Sequence, residues 1–190
     1  REHRCVRAEP LPPVMQTLLD RLRPVLHAHD PAFPDPPNSC LVNYYGKEIH
    51  ESGPPVDYAR LRKHRDGEPG PVVMISVGQA GLLEFVDVDR DDEVALGVWT
   101  RHRSISVLSG PEFKDRLYHR IRRVRHGQKP ALTTQLEGFD VRRISVSFRH
   151  VPAQLIEDFG QLPAESPERI RPYVETLAEH SPPFTQQLAA

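Results

Sequence analysis

Residues 140–151 read DVRRISVSFRHV. Arg143, Ser145, Ser147 and Arg149 share one parity in this run, and Ile144, Val146 and Phe148 share the other. In a strand, successive side chains point to opposite faces, so the two sets line opposite sides of a sheet. If the arginine side faces inward, two guanidinium groups enter a low-dielectric interior and must meet anions there. If it faces outward, the segment is an exposed edge strand with solvated arginines. Arg grips a carboxylate through two parallel hydrogen bonds, so a dicarboxylate would satisfy the inward case.

Further strand signatures precede this one. SCLVNYYG (39–46), PVVMISVG (71–78), GLLEFVDV (81–88), EVALGVWT (93–100), RSISVLSG (103–110) and DRLYHRIRRV (115–124) are short and rich in β-branched or aromatic residues. Turn signals such as VGQAG, DRDD and SGPEF separate them. Many short strands with few helices between them predict an antiparallel sandwich or barrel. Residues 47–60 read as a loop, with one helical turn at VDYARLR (56–62). Met15, Leu18, Leu19, Leu22, Val25 and Leu26 fall at helical spacing in 12–29, with Pro24 expected to bend or end the helix. AQLIEDFGQL (153–162) and SPERIRPYVETLAEH (166–180) also read as helices, the second with Ser166 as N-cap. The expected organisation is a lead-in at 1–38, a barrel at 39–151 and a helical tail at 152–190.

The formal charge of −1 gives the whole molecule no strong field to gather nucleic acid, so local patches must carry any such binding. Two cysteines, Cys5 and Cys40, suggest no disulfide framework and a reducing compartment. No apolar run approaches the roughly 20 residues that span a bilayer. The opening REHRCVRAEP lacks the apolar core of a signal peptide and reads like the middle of a chain, so a preceding segment is expected to have been removed. A soluble cytoplasmic protein is expected.

The chemistry is sought in LRKHRDGEPG (61–70), where His64 and Asp66 stand two apart. On one short strand they would point to one place. His119, in RLYHRI, lies about four short strands further on. An HxD pair with a distant His is the sequence form of the two-His, one-carboxylate triad that holds non-haem Fe(II) and leaves positions open for a cosubstrate and O₂. The bland alternative is a surface His and Asp beside a turn, in a chain with ten histidines. His50, His102, His126 and His150 are rival ligands, but none has a carboxylate at i+2 on an apparent strand, and all four are read as surface or supporting residues.

In order along the chain, LVNYYG (41–46), HRD (64–66), VVMISVGQAGLLEF (72–85), SVLSG with RLYHRI (106–121) and RRISVSFR (142–149) resemble the AlkB family. That family comprises Fe(II)- and 2-oxoglutarate-dependent dioxygenases built on a double-stranded β-helix, a cupin-like jelly-roll barrel, mainly β with flanking helices. The likeness covers about residues 40–150, and the two arginines six apart are its most specific part. It implies that His64, Asp66 and His119 hold iron as the catalytic centre. It further implies that Arg143 pairs with the distal carboxylate of 2-oxoglutarate, that Tyr45 donates a hydroxyl to it, and that Asn43, Arg149 and position 145 help hold it near the metal. The family reaction hydroxylates a C–H bond; on an N-alkyl group the hemiaminal product collapses and releases an aldehyde.

The chain departs from the family pattern. Ser145 replaces the usual Asn, KEIHESGPPVDYARL (47–61) lengthens the path from Asn43 to His64, the tail beyond Arg149 is long, and the nucleotide-gripping lid is mostly absent. Glu68 and Tyr118 are the candidates for touching substrate, Glu68 near a target base by resemblance. The basic run 116–129 is a candidate for phosphate contact, weighed against a solvated face. Trp99, the only tryptophan, and Tyr44 are expected in the core. The leading function is oxidative dealkylation of an N-alkylated base in DNA or RNA, as in DNA repair or RNA demethylation, with alkylated nucleic acid taken single-stranded or flipped. A hydroxylase or demethylase of a protein or small molecule on the same scaffold is the runner-up, and a non-catalytic interaction module the third reading.

Overall fold

The computed structural model describes residues 5–7, 10–29, 37–68, 70–125, 132, 136–161 and 165–189. In chain order the elements are β1 (Cys5–Val6), α1 (Pro13–His29), β2 (Ser39–Glu48), β3 (Val56–Asp57), β4 (Leu61–His64), β5 (Val72–Gly78), β6 (Gly81–Asp87), β7 (Glu93–Thr100), β8 (Ser104–Leu108), β9 (Tyr118–Ile121), β10 (Phe139–Arg149), β11 (Ile156–Glu157), α2 (Glu165–Ala178) and α3 (Pro182–Ala189). The chain divides into two compact units, one of residues 33–66 and 70–150, the other of 1–32, 67–69 and 151–190.

The first unit holds two antiparallel sheets, in the orders β3-β2-β10-β5-β8 and β4-β9-β6-β7. Two antiparallel sheets of five and four strands match the jelly-roll barrel expected from the sequence. β10 lies at the centre of the larger sheet, paired with β2 on one side and β5 on the other. Its alternation decides what enters the interior. Arg143 and Ser145 are buried almost completely. Val72, Met74, Leu83, Phe85, Leu108, Leu117, Ile121 and Val124 form the apolar core together with Tyr45. The β5–β6 turn depends on Gly78, whose φ of 93° is left-handed and whose added Cβ would stand 2.6 Å from the Arg142 carbonyl oxygen.

The second unit is built from α1, α2 and α3 with the short parallel pair β1–β11. Phe159, Val174 and Phe184 form its buried cluster, with Ile170, Leu177 and Leu188 packed around them. Among the described residues, no helix is long and apolar enough to cross a membrane.

Several local expectations are corrected. Pro24 lies inside α1 and does not end it. Pro24 and the residue four before it, Asp20, are both exposed, so water can reach the carbonyl that loses its helical donor. No helical turn forms at 56–62, where β3 and β4 stand instead. The stretch 153–162 is two 3₁₀ turns, Ala153–Leu155 and Phe159–Gln161, around β11. Trp99 is 55% exposed and Tyr44 43% exposed, so neither is a core residue. Residues 126–129 of the basic run, His126 among them, Leu162 and the side chain of Ser166 lie outside the described residues.

Leu117 is 1% exposed within the barrel core. Leu117→Ala is expected to lower the unfolding free energy by about 2–5 kcal/mol, read as a shifted midpoint in urea denaturation.

Candidate metal centre and cosubstrate pocket

β4 and β9 pair so that His64 stands directly opposite His119. The register also sets Leu61 opposite Ile121, three residues back on one strand but two on the other. The extra residue is a β-bulge, and it turns His64 onto the same face as Leu61, toward the barrel interior. The strand ends at His64, so Asp66 does not share it, contrary to the sequence expectation; Asp66 follows in irregular chain and comes back to the same point. One ligand atom from each of His64, Asp66 and His119 lies within 4.8 Å of the others. The two imidazole rings are 4.3 Å apart between centroids, and His119 Nε2 stands 3.5 Å from Asp66 Oδ2.

Protonation favours metal binding. His64 Nδ1 lies 2.8 Å from the Arg62 carbonyl oxygen, which can only accept, so Nδ1 is the donor there and Nε2 is the nitrogen left for a metal. Burial pushes the pKa of His119 from 6.5 down to about 4, helped by the neighbouring His64 and opposed by Asp66. His119 is therefore a neutral imidazole at neutral pH, the form a metal needs. The other Asp66 oxygen accepts from Arg149 Nη2 at 2.8 Å, which fixes the carboxylate with Oδ2 toward His119. Two imidazoles and one carboxylate on one face, with no fourth ligand in the cluster among the described residues, fit Fe(II) with positions left open.

The cluster lines an interior cavity of about 60 Å³, together with Asn43, Tyr45, Ser145, Ser147 and Arg149. Strand register explains this company. β2 sets Asn43 opposite Ser145 and Tyr45 opposite Arg143, and the Ser145 Oγ stands 3.5 Å from the Tyr45 hydroxyl. Arg143 is fully buried but is not among the residues lining the cavity; it packs behind Tyr45, with its guanidinium carbon 5.1 Å from the ring centroid. Its Nη2 donates to Ser76 Oγ at 2.8 Å. Nε and Nη1 are buried and, among the described residues, donate to nothing. Burial lowers the Arg143 pKa from its ordinary value, and Tyr45 opposes that shift. A buried cation with two idle donors and no carboxylate partner fits an incoming carboxylate. Gly81 makes the space, since a Cβ there would stand 3.0 Å from Arg143 Nε.

Sequence reading did not single out Ser76 or Gly81. Ser76 shares the parity of the buried Val72 and Met74, so one hydroxyl in an otherwise apolar inward row was the available signal. Tyr118 does not reach the cavity: its neighbour His119 points in, while the Tyr118 ring lies against Arg65, 4.7 Å from its guanidinium carbon, and Lys63. Glu68 belongs to the segment 67–69, which groups with the helical unit. Of the rival histidines, His102 accepts from the Gly78 N–H at 3.0 Å, and His50 is exposed beside Glu48.

A jelly-roll barrel carrying two histidines on paired strands, with a carboxylate from the chain that follows one of them, defines the non-haem iron oxygenase class. The sequence model of the 2OG-Fe(II) oxygenase superfamily matches residues 1–149, and the chain belongs to that superfamily. That superfamily is one of Fe(II)- and 2-oxoglutarate-dependent oxygenases, and His64, Asp66 and His119 offer a ligand set that suits its metal. Its fold is similar to the solved structure of OsALKBH1, with a TM-score of 0.50 and 18% sequence identity, over 74% of this chain and 66% of that one. No curated protein matches the sequence.

Two outcomes are expected. Between about pH 4 and 6.5 the unfolded chain binds a proton on His119 that the native, metal-free protein refuses, so stability rises with pH across that window. His119→Asn should flatten the rise, measured by chemical denaturation with chelator present. Arg143→Met should leave the ligand-free protein as stable as the parent or more so, because an unpaired buried charge is removed, and should abolish the thermal upshift given by 2-oxoglutarate.

Proposed function

We propose that this dioxygenase removes N-linked alkyl groups from bases in DNA or RNA. The observation that carries the reading is the juxtaposition of the His64–Asp66–His119 cluster with an Arg149 that grips Asp66 and an Arg143 that has no anion among the described residues. That arrangement matches the AlkB pattern in both arginines, and the name of OsALKBH1 places that structural neighbour among AlkB homologues.

The residues divide the work. His64, Asp66 and His119 would hold Fe(II), with Arg149 and the Arg62 carbonyl fixing two of the three ligands. Arg143, backed by Ser76, would take the distal carboxylate of 2-oxoglutarate, and the Tyr45 ring must tilt off the guanidinium to admit it. Asn43 and Ser145 would line the path between, with Ser145 making the shorter reach that a hydroxyl allows in place of an amide. Bound together, iron, 2-oxoglutarate and O₂ supply the oxidising power: 2-oxoglutarate leaves as succinate and CO₂, and a substrate C–H becomes C–OH. On an N-alkyl carbon the product is a hemiaminal, which breaks its C–N bond to give an aldehyde and the free base. The buried, apolar-walled site keeps water from the reacting groups.

The deciding experiment measures CO₂ released from labelled 2-oxoglutarate against a panel of N-alkylated oligonucleotides and methylated peptides. Stimulation by oligonucleotides, with aldehyde formed in equal amount, is expected; stimulation by peptides alone would overturn the choice of substrate. His119→Ala should reduce turnover to background with every substrate.

A further inference from the structure

A groove lies outside the barrel interior, on the outer face of the smaller sheet. It has a volume of about 410 Å³ and is lined by Ala80, Leu82, Trp99, Arg122, Arg123 and Arg125. Strand register builds it. Leu82 pairs with Trp99 on β7, and the Arg122 N–H bonds to the Leu82 carbonyl on the other side. Leu83 and Ile121, one residue along, are buried inward, so Trp99, Leu82 and Arg122 stand in a row facing out.

We propose that this groove binds single-stranded nucleic acid, as a contact separate from the catalytic cavity. The proposal takes its partner class from the dealkylation reading but does not depend on the chemistry of the iron site. Trp99 offers more than half of its surface to solvent, a costly exposure for an indole with nothing to cover it. Around it the charge is one-sided. Arg120 and Arg122 share one carboxylate, Glu84, at 2.8 and 3.5 Å, and Arg123 holds Asp57 at 2.9 Å. Arg125 makes no ion pair among the described residues. Four guanidinium groups thus meet two carboxylates, within a protein of net charge −1.

A flat exposed ring beside excess arginines suits a ligand with a π-face and an anion in every unit. Each nucleotide of a single strand has both: its base stacks on the indole and its phosphate takes bidentate hydrogen bonds from Arg. In a duplex the bases are already stacked on one another, so a paired strand is a poor fit. An acidic peptide would use the arginines but leave the ring uncovered. His119 and Ile121 face the interior from the strand whose other side carries Arg120, so one sheet separates the groove from the iron ligands. A strand held at Trp99 would therefore be a segment flanking the reacting base.

Trp99 is the only tryptophan, so its fluorescence reports on this groove alone. The full chain would be titrated with a twelve-residue oligothymidylate, its duplex with oligoadenylate, thymidine monophosphate and a poly-glutamate peptide. The oligothymidylate is expected to quench the emission, with a plot of log affinity against log salt having a slope of about −2, from some three phosphate contacts. By anisotropy, Trp99→Ala and the double change Arg122→Ala/Arg125→Ala should each weaken its binding by about tenfold. Binding without quenching, unchanged affinity in both variants, or equal quenching by duplex, mononucleotide or poly-glutamate would overturn the proposal. Turnover of an alkylated nucleoside, which needs only the cavity, is measured in parallel. If turnover persists while the groove does not bind, the groove assignment alone fails; if the groove binds while no alkylated nucleic acid is turned over, the dealkylation reading alone fails.

Discussion

The pairing of His64 with His119 across β4 and β9 is the constraint on which the rest depends. Side chains on a strand alternate with a period of two, so a slip of one residue would send one imidazole to the outer face. The bulge between Leu61 and His64 sets the register, because it lets Leu61 and His64 both face inward although they are three apart. Asp66 then needs only a short return of the chain. Arg149, from the end of β10, holds it there at 2.8 Å. Both sheets thus contribute to one cluster, and neither holds it alone.

The second organising fact is a charge that the protein buries without neutralising. Arg143 sits at the centre of the larger sheet, fixed on one side by Ser76 and covered by Tyr45, with two donors idle. Such an arrangement lowers the stability of the ligand-free protein and raises affinity for an anion that completes it. The same feature that weakens the empty barrel therefore selects its cosubstrate. Tyr45 bridges the two halves of the site, lining the cavity with one edge and packing on the guanidinium with its face.

Much of this was legible in the sequence where a single strand carries its own two-sided pattern. The parity of Arg143, Ser145, Ser147 and Arg149 marked one polar face, which the structure turns inward, and β7 falls on the span its composition suggested, 93–100. What escaped reading depends on partners distant in sequence. Nothing in LRKH reveals the bulge, since the extra residue is defined only against β9. Leu155, Ile156 and Phe159 mimic helical spacing, yet the chain there pairs in parallel with Cys5–Val6, about 150 residues away by numbering. Trp99 looked like core because it is apolar, but β7 is an edge strand and Trp99 lies on the face turned from the barrel. Propensity cannot tell an inner face from an outer one when both are apolar.

The central claim is that His64, Asp66 and His119 converge on one divalent metal ion. Anaerobic titration with Co(II), followed by its visible absorption, tests it without requiring any substrate. The account requires one equivalent bound per chain, with uptake lost when any one of the three residues is changed to Ala. Undiminished Co(II) uptake after all three are replaced would contradict it.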